Sequence, residues 1–69
     1  MSAPGQPSLS DDERAVVVLV CEGRTNPEIA ARLGVGEHAV AVHISTMLRR
    51  LGLRNRVQLA VWAVKHGLS

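Results

Sequence analysis

Within eight positions this 69-residue sequence carries four arginines, Arg49, Arg50, Arg54 and Arg56, with Thr46 just before them and Asn55 among them. Guanidinium forks, an amide and a hydroxyl in one short stretch are donors suited to phosphate oxygens. For any single one of them, exposed charge that merely solvates the surface is the competing reading. The charge distribution favours a polyanion. All six acids (Asp11, Asp12, Glu13, Glu22, Glu28, Glu37) lie in residues 1–37, which net −3 with three arginines, whereas residues 38–69 net +5 with no acid. A modest overall +2 therefore conceals a basic half.

Other chemistries have little to stand on. Cys21 is the only cysteine, and His38, His43 and His66 are too scattered to form a metal-ligand set with it. No Ser/His/Asp order or Gly-rich phosphate loop is present, so no enzyme, metal or cofactor is expected. Cys21 reads as a small core residue, and a single thiol fits a reducing cytosol. The longest apolar runs, Ala15 to Cys21 and Leu59 to Val64, are far below the roughly 20 residues that span a bilayer. No signal peptide is visible either, so no membrane association is expected. Phe and Tyr are absent and Trp62 is the sole aromatic. This disfavours single-stranded nucleic acid and RNA, whose recognition uses aromatic stacking platforms, and it demands an aliphatic core.

The elements that must position these residues are helical. Residues 1–8, rich in Pro, Gly and Ser, read as a linker or disordered tail, and the domain as 9–69. Ser10 followed by Glu13 is a capping box ahead of a helix over about 11–22 that stops at Gly23. The β-branched run in that stretch could be a strand by composition, but the capping decides for helix, with Val16, Val17, Val20 and Cys21 as its buried stripe. Asn26 as cap with Pro27 starts a second helix over about 27–33, in which Ile29, Ala30 and Leu33 share a face, and Gly34 ends it. A third runs over 37–51 with Val40, Ile44, Met47, Leu48 and Leu51 as its stripe. Asn55 with Gln58 repeats the capping spacing before a fourth over about 56–66.

The fold class is therefore all-α, a four-helix bundle with a central helix-turn-helix. Two helices joined by a short Gly-containing turn can carry the second helix into a DNA major groove. Val35 and Val40 are expected to pin that pair to a shared core. Opposite its apolar stripe the third helix carries His38, Ala41, Val42, Ser45, Thr46 and Arg49. His38, Ala41, Val42 and Ser45 are the candidates for base edges: Ala41 and Val42 could touch a thymine methyl and Ser45 could hydrogen-bond a base, with ordinary packing the competing reading for Ala41 and Val42. Asn26, Thr46, Arg49, Arg50, Arg54, Asn55 and Arg56 are the candidates for phosphate.

The stretches Leu9-Ser10-x-x-Glu13, Glu22-Gly23, Asn26-x-Glu28-Ile29-Ala30-x-x-Leu33-Gly34-Val35, Val40-x-Val42-His43, Met47-Leu48-x-x-Leu51-Gly52 and Arg54-Asn55-Arg56 resemble the LuxR-type (GerE-like) helix-turn-helix domain. The resemblance covers about sixty of the 69 residues. It implies a DNA-binding effector domain of a bacterial response or quorum-sensing regulator, cytoplasmic, with recognition helix 37–51 and dimerisation through the fourth helix. It also implies a receiver or sensor domain on the N-terminal side and RNA polymerase as a candidate partner. Three departures matter. The family often has lysine where Ala41 stands and threonine where Ala39 stands, which implies weaker intrinsic affinity or a different base preference. It usually has glutamate where Ala15 stands, which implies loss of an internal ion pair.

The fourth helix supports self-association on independent grounds. Val57, Leu59, Ala60, Val61, Trp62, Ala63 and Val64 leave almost no polar face, so burial is expected on more than one side. Leu59, Trp62 and Ala63 are the residues expected at a homodimer contact, although Trp62 could equally close the aliphatic core. The rival to a duplex-DNA reader is a helical protein-interaction or dimerisation module whose basic half meets an acidic partner.

Overall fold

The computed structural model describes residues 9–68. Its regular structure is four helices: α1 (Asp11–Cys21), α2 (Asn26–Leu33), α3 (Glu37–Leu51) and α4 (Arg56–Lys65). The fold is all-α, as capping and periodicity predict. The helix ends fall within one residue of expectation: Glu22 and His66 are C-terminal caps, and Asn26 opens α2. Residues 1–8, expected as a tail, lie outside the described residues.

At α1 the Glu13 amide donates to Ser10 Oγ (3.1 Å) and the Ser10 amide donates to Glu13 Oε1 (3.0 Å), the reciprocal box the sequence predicts. α2 corrects its expectation, because Thr25 caps it and Asn26 does not. Thr25 Oγ1 accepts from the Glu28 amide (3.3 Å) while Glu28 Oε1 accepts from the Thr25 amide (2.9 Å). The Thr-x-x-Glu spacing was present in the sequence, but Asn26-Pro27 is an equally good local start signal one residue later. At α4 Asn55 Oδ1 accepts from the Gln58 amide (2.9 Å), whereas Gln58 Oε1 accepts from the Arg54 amide (2.6 Å), so the return bond lands one residue early.

The core is aliphatic apart from Met47: Val16, Val17, Ile29, Val40, Met47, Leu59 and Ala63 are at most 1% exposed. α1 packs on the other three helices, α2 on α3, and α3 also on α4, while α2 and α4 do not pack on each other. Leu19 joins the core unforeseen, and Cys21 is only half-buried, its Sγ 3.7 Å from the Ala60 carbonyl oxygen. Burial pushes the Cys21 thiol up from its ordinary pKa, which keeps it in the unreactive thiol form.

The α2–α3 turn is Gly34-Val35-Gly36. Gly34 adopts φ 70°, a left-handed conformation that glycine enters without steric cost. The Val35 amide then folds back onto the Ala30 carbonyl (3.0 Å), closing α2. Contrary to expectation Val35 does not pin α2 to α3; it sits on the outside of the turn, 45% exposed. Val40, Ile29 and Ala30, all buried, hold the pair together.

Candidate nucleic-acid interface

α3 has one side committed to the core and one side free. Val40, Ile44 and Met47 face inward. At about 100° per residue, His38, Val42, Ser45 and Arg49 fall on the opposite side within about 60° of one another. All four are exposed, as is Thr46 on the flank, while Ala41 and His43 are half-buried. Four exposed side chains of helical spacing, none long until Arg49, make a ridge narrow enough for a groove about 12 Å wide.

The four arginines divide by what they touch. Arg49 and Arg54 make no side-chain hydrogen bond or ion pair among the described residues. Arg50, expected at phosphate, reaches back across the bundle: its Nη2 donates to Glu13 Oε1 at 2.8 Å. Glu13 is only 8% exposed, and the Arg50 guanidinium together with the Ser10 amide holds its carboxyl below the ordinary carboxylate range despite the opposing effect of burial. Among the described residues the interhelical ion pair is thus Glu13–Arg50, while Ala15 has no charge to offer. Arg56 also has internal partners, donating to Asn26 Oδ1 and to the Arg24 carbonyl. Asn26 is half-buried beside it, and Asn55 is exposed with its Oδ1 occupied by the cap.

α4 corrects the expected self-association residues. Leu59 and Ala63 are 0% exposed and belong to the monomer core, packed toward α1; neither is available to a second copy. Trp62 is half-buried and stacks on His66, ring centroids 4.3 Å apart. The apolar surface of α4 is instead Val57, Val61 and Val64, which are 71%, 49% and 60% exposed. They recur at i, i+4 and i+7, and shallow depressions flank Val61, lined by Leu53 and Trp62 on one side and by Cys21 and Ala60 on the other. An all-round apolar helix carries no periodicity that tells core side from outer side, so residue type alone could not separate Leu59 from Val61.

Among the described residues, no His, Cys, Asp and Glu side chains gather into a metal-binding group, and no helix is long and apolar enough to cross a membrane.

Comparison with known proteins bears on what such a ridge reads. The family model described as bacterial regulatory proteins, luxR family, matches residues 7–63. A protein of Mycobacterium bovis assigned as an HTH-type transcriptional regulator is 45% identical over 65 residues, 94% of this chain and 7% of its own length. The nitrate/nitrite response regulator protein NarL of Escherichia coli is 41% identical over 54 residues, covering 78% of this chain and 25% of NarL. The DNA-binding transcriptional activator DevR/DosR of Mycobacterium tuberculosis is 40% identical over 57 residues, 83% of this chain and 26% of its own length. The chain therefore spans about a quarter or less of the length of these relatives.

Proposed function

We propose that this chain, which belongs to the luxR family of bacterial regulatory proteins, binds double-stranded DNA in a sequence-specific manner as the effector module of a cytoplasmic transcriptional regulator. The observation that carries this reading is the outward side of α3, where His38, Val42 and Ser45 stand exposed opposite Val40, Ile44 and Met47 and lead up to Arg49, whose guanidinium has no partner among the described residues. Laid in the major groove, that ridge brings Val42, with Ala41 at its edge, to thymine methyls and brings Ser45 and His38 to base-edge donors and acceptors. Arg49, Arg54, Thr46, Asn55 and Asn26 supply phosphate contacts on either side. Arg50, engaged with Glu13, contributes charge to the field and orientation to α3. With Ala41 where the family often has lysine, groove binding depends more heavily on Arg49 and Arg54.

A second copy completes the reader. Val57, Val61 and Val64 form a continuous outward stripe, and pairing two such stripes about a two-fold axis would set two recognition helices on successive half-sites. A receiver or sensor domain N-terminal to this chain, as the response-regulator relatives suggest, would control that pairing, with RNA polymerase as a candidate downstream partner.

Titration of the chain with a duplex at increasing salt tests the reading. Several phosphate contacts predict log affinity falling linearly and steeply with log salt on any duplex, and a tighter class of sites emerging from selection on random DNA. Salt-insensitive or absent duplex binding would leave the exposed α4 stripe as the functional surface and favour a protein-interaction module.

A further inference from the structure

α2 and α4 do not pack on each other, yet one side chain spans them. Arg56, the first residue of α4, donates through Nη1 to Oδ1 of Asn26, the first residue of α2, and through Nη2 to the carbonyl of Arg24. These two acceptors flank Thr25, the residue that caps α2. One guanidinium fork therefore grips the chain on both sides of the cap.

The chemistry of the fork dictates the orientation of Asn26. Arginine has five N–H donors and no acceptor, so only the carboxamide oxygen can face it. The Nδ2 group must turn the other way. None of the described residues accepts from Nδ2, and among them no buried side-chain nitrogen or oxygen lacks a partner, so Nδ2 is not sealed from solvent. An asparagine without such a clamp samples both flips and several rotamers, and holding one of them ready removes an ordering cost at binding.

We infer that Arg56 is a positioning residue: it does not itself hold a phosphate but locks Asn26 so that the Nδ2 donors are presented to a phosphate oxygen of the duplex. The inference rests on the DNA-binding reading above. It differs from a direct Arg56–phosphate contact in two measurable ways. A direct contact releases its own counterion, and its loss multiplies with that of Asn26, whereas a residue that acts only through Asn26 does neither.

The test compares wild type, Asn26→Ala, Arg56→Ala and the double variant on one duplex of about 20 base pairs across a salt series, with circular dichroism confirming that each is folded. Each single change is expected to weaken binding roughly three- to tenfold, as for one lost hydrogen bond. The double variant is expected to be no weaker than the poorer single, and all four salt slopes to coincide. In wild type, the Asn26 side-chain NH2 resonances shift on adding duplex while the Arg56 Nε–H resonance does not, a readout that needs no variant to fold. Multiplying losses, or a slope flattened by about 0.9 in Arg56→Ala, would overturn the inference by making Arg56 a direct contact. Undiminished affinity in Asn26→Ala would overturn it as well. If wild type shows no salt-dependent duplex binding, the DNA reading fails first and the inference falls with it.

Discussion

Glu13 and Arg50, 37 positions apart, are joined at 2.8 Å, so the carboxylate that closes the N-terminal cap of α1 also anchors the C-terminal turn of α3. Because Glu13 is buried and its Oε1 serves both Ser10 and Arg50, neutralising it leaves two donors without an anionic acceptor. Glu13→Gln is expected to cost about 1 kcal/mol and Glu13→Ala about 2 kcal/mol in urea unfolding. The pH dependence has a defined sign. Folding holds the carboxyl below its ordinary range, so its contribution is complete at neutral pH and is lost as pH falls into that range and toward the depressed folded value. The melting-temperature gap between wild type and Glu13→Gln should stay constant down to about pH 5 and narrow below it. A gap that ignores pH would mean the charge of Glu13 does not stabilise the fold.

That pair also marks where local reading of the sequence stops. Helix ends were legible because a cap is a contact between near neighbours: Ser10 with Glu13, or Gly34 closing α2, depends on residues at most four or five apart. The inward stripe of α3 was legible because Val40, Ile44 and Met47 alternate with polar residues at helical spacing. The partners of Arg50 and Arg56 lie about thirty or more positions away, and no spacing rule reaches them. Residue type alone therefore offers both as phosphate donors and reveals neither internal bond.

The two sides of α4 should separate cleanly by mutation. Leu59 is fully buried against the core, so Leu59→Ala is expected to destabilise the fold by about 2–5 kcal/mol at any protein concentration. Val61 stands about half-exposed at the centre of the outer stripe, and Val61→Lys should change monomer stability by no more than about 0.5 kcal/mol. If the outer stripe is the self-association surface, Val61→Lys shifts sedimentation toward monomer and weakens binding to a two-half-site duplex far more than to a single half-site. Equal weakening on both duplexes would place association elsewhere.

Gly34 offers a conformational test of the turn. Its φ is 70°, and a methyl group placed on it would meet nothing within 4 Å, so the cost of Gly34→Ala is that of the left-handed backbone alone. About 1 kcal/mol is expected in urea unfolding, with D-alanine at the same position at least as stable as wild type. A much larger loss for both would point to a steric demand that the turn does not present.

Arg54 and Val42 should fail in different ways on DNA. Arg54 is exposed just ahead of α4, with a guanidinium that has no partner among the described residues, whereas Val42 is 50% exposed in the middle of the α3 ridge. A charge on phosphate is indifferent to base identity, so Arg54→Ala should weaken all duplexes by a similar factor and flatten the salt slope by about one unit. A methyl-bearing side chain against a thymine methyl carries no counterion, so Val42→Ala should leave the slope alone and cost about 1 kcal/mol on the preferred site only, with relaxed preference at one base pair. Selection on random duplexes with wild type and Val42→Ala, beside salt titrations of Arg54→Ala, reads both effects at once. A uniform loss for Val42→Ala would remove that residue from base readout and leave Ser45 and His38 as the groove contacts. An unchanged slope for Arg54→Ala would shift the phosphate grip to Arg49, the other of the four clustered arginines whose guanidinium has no partner among the described residues.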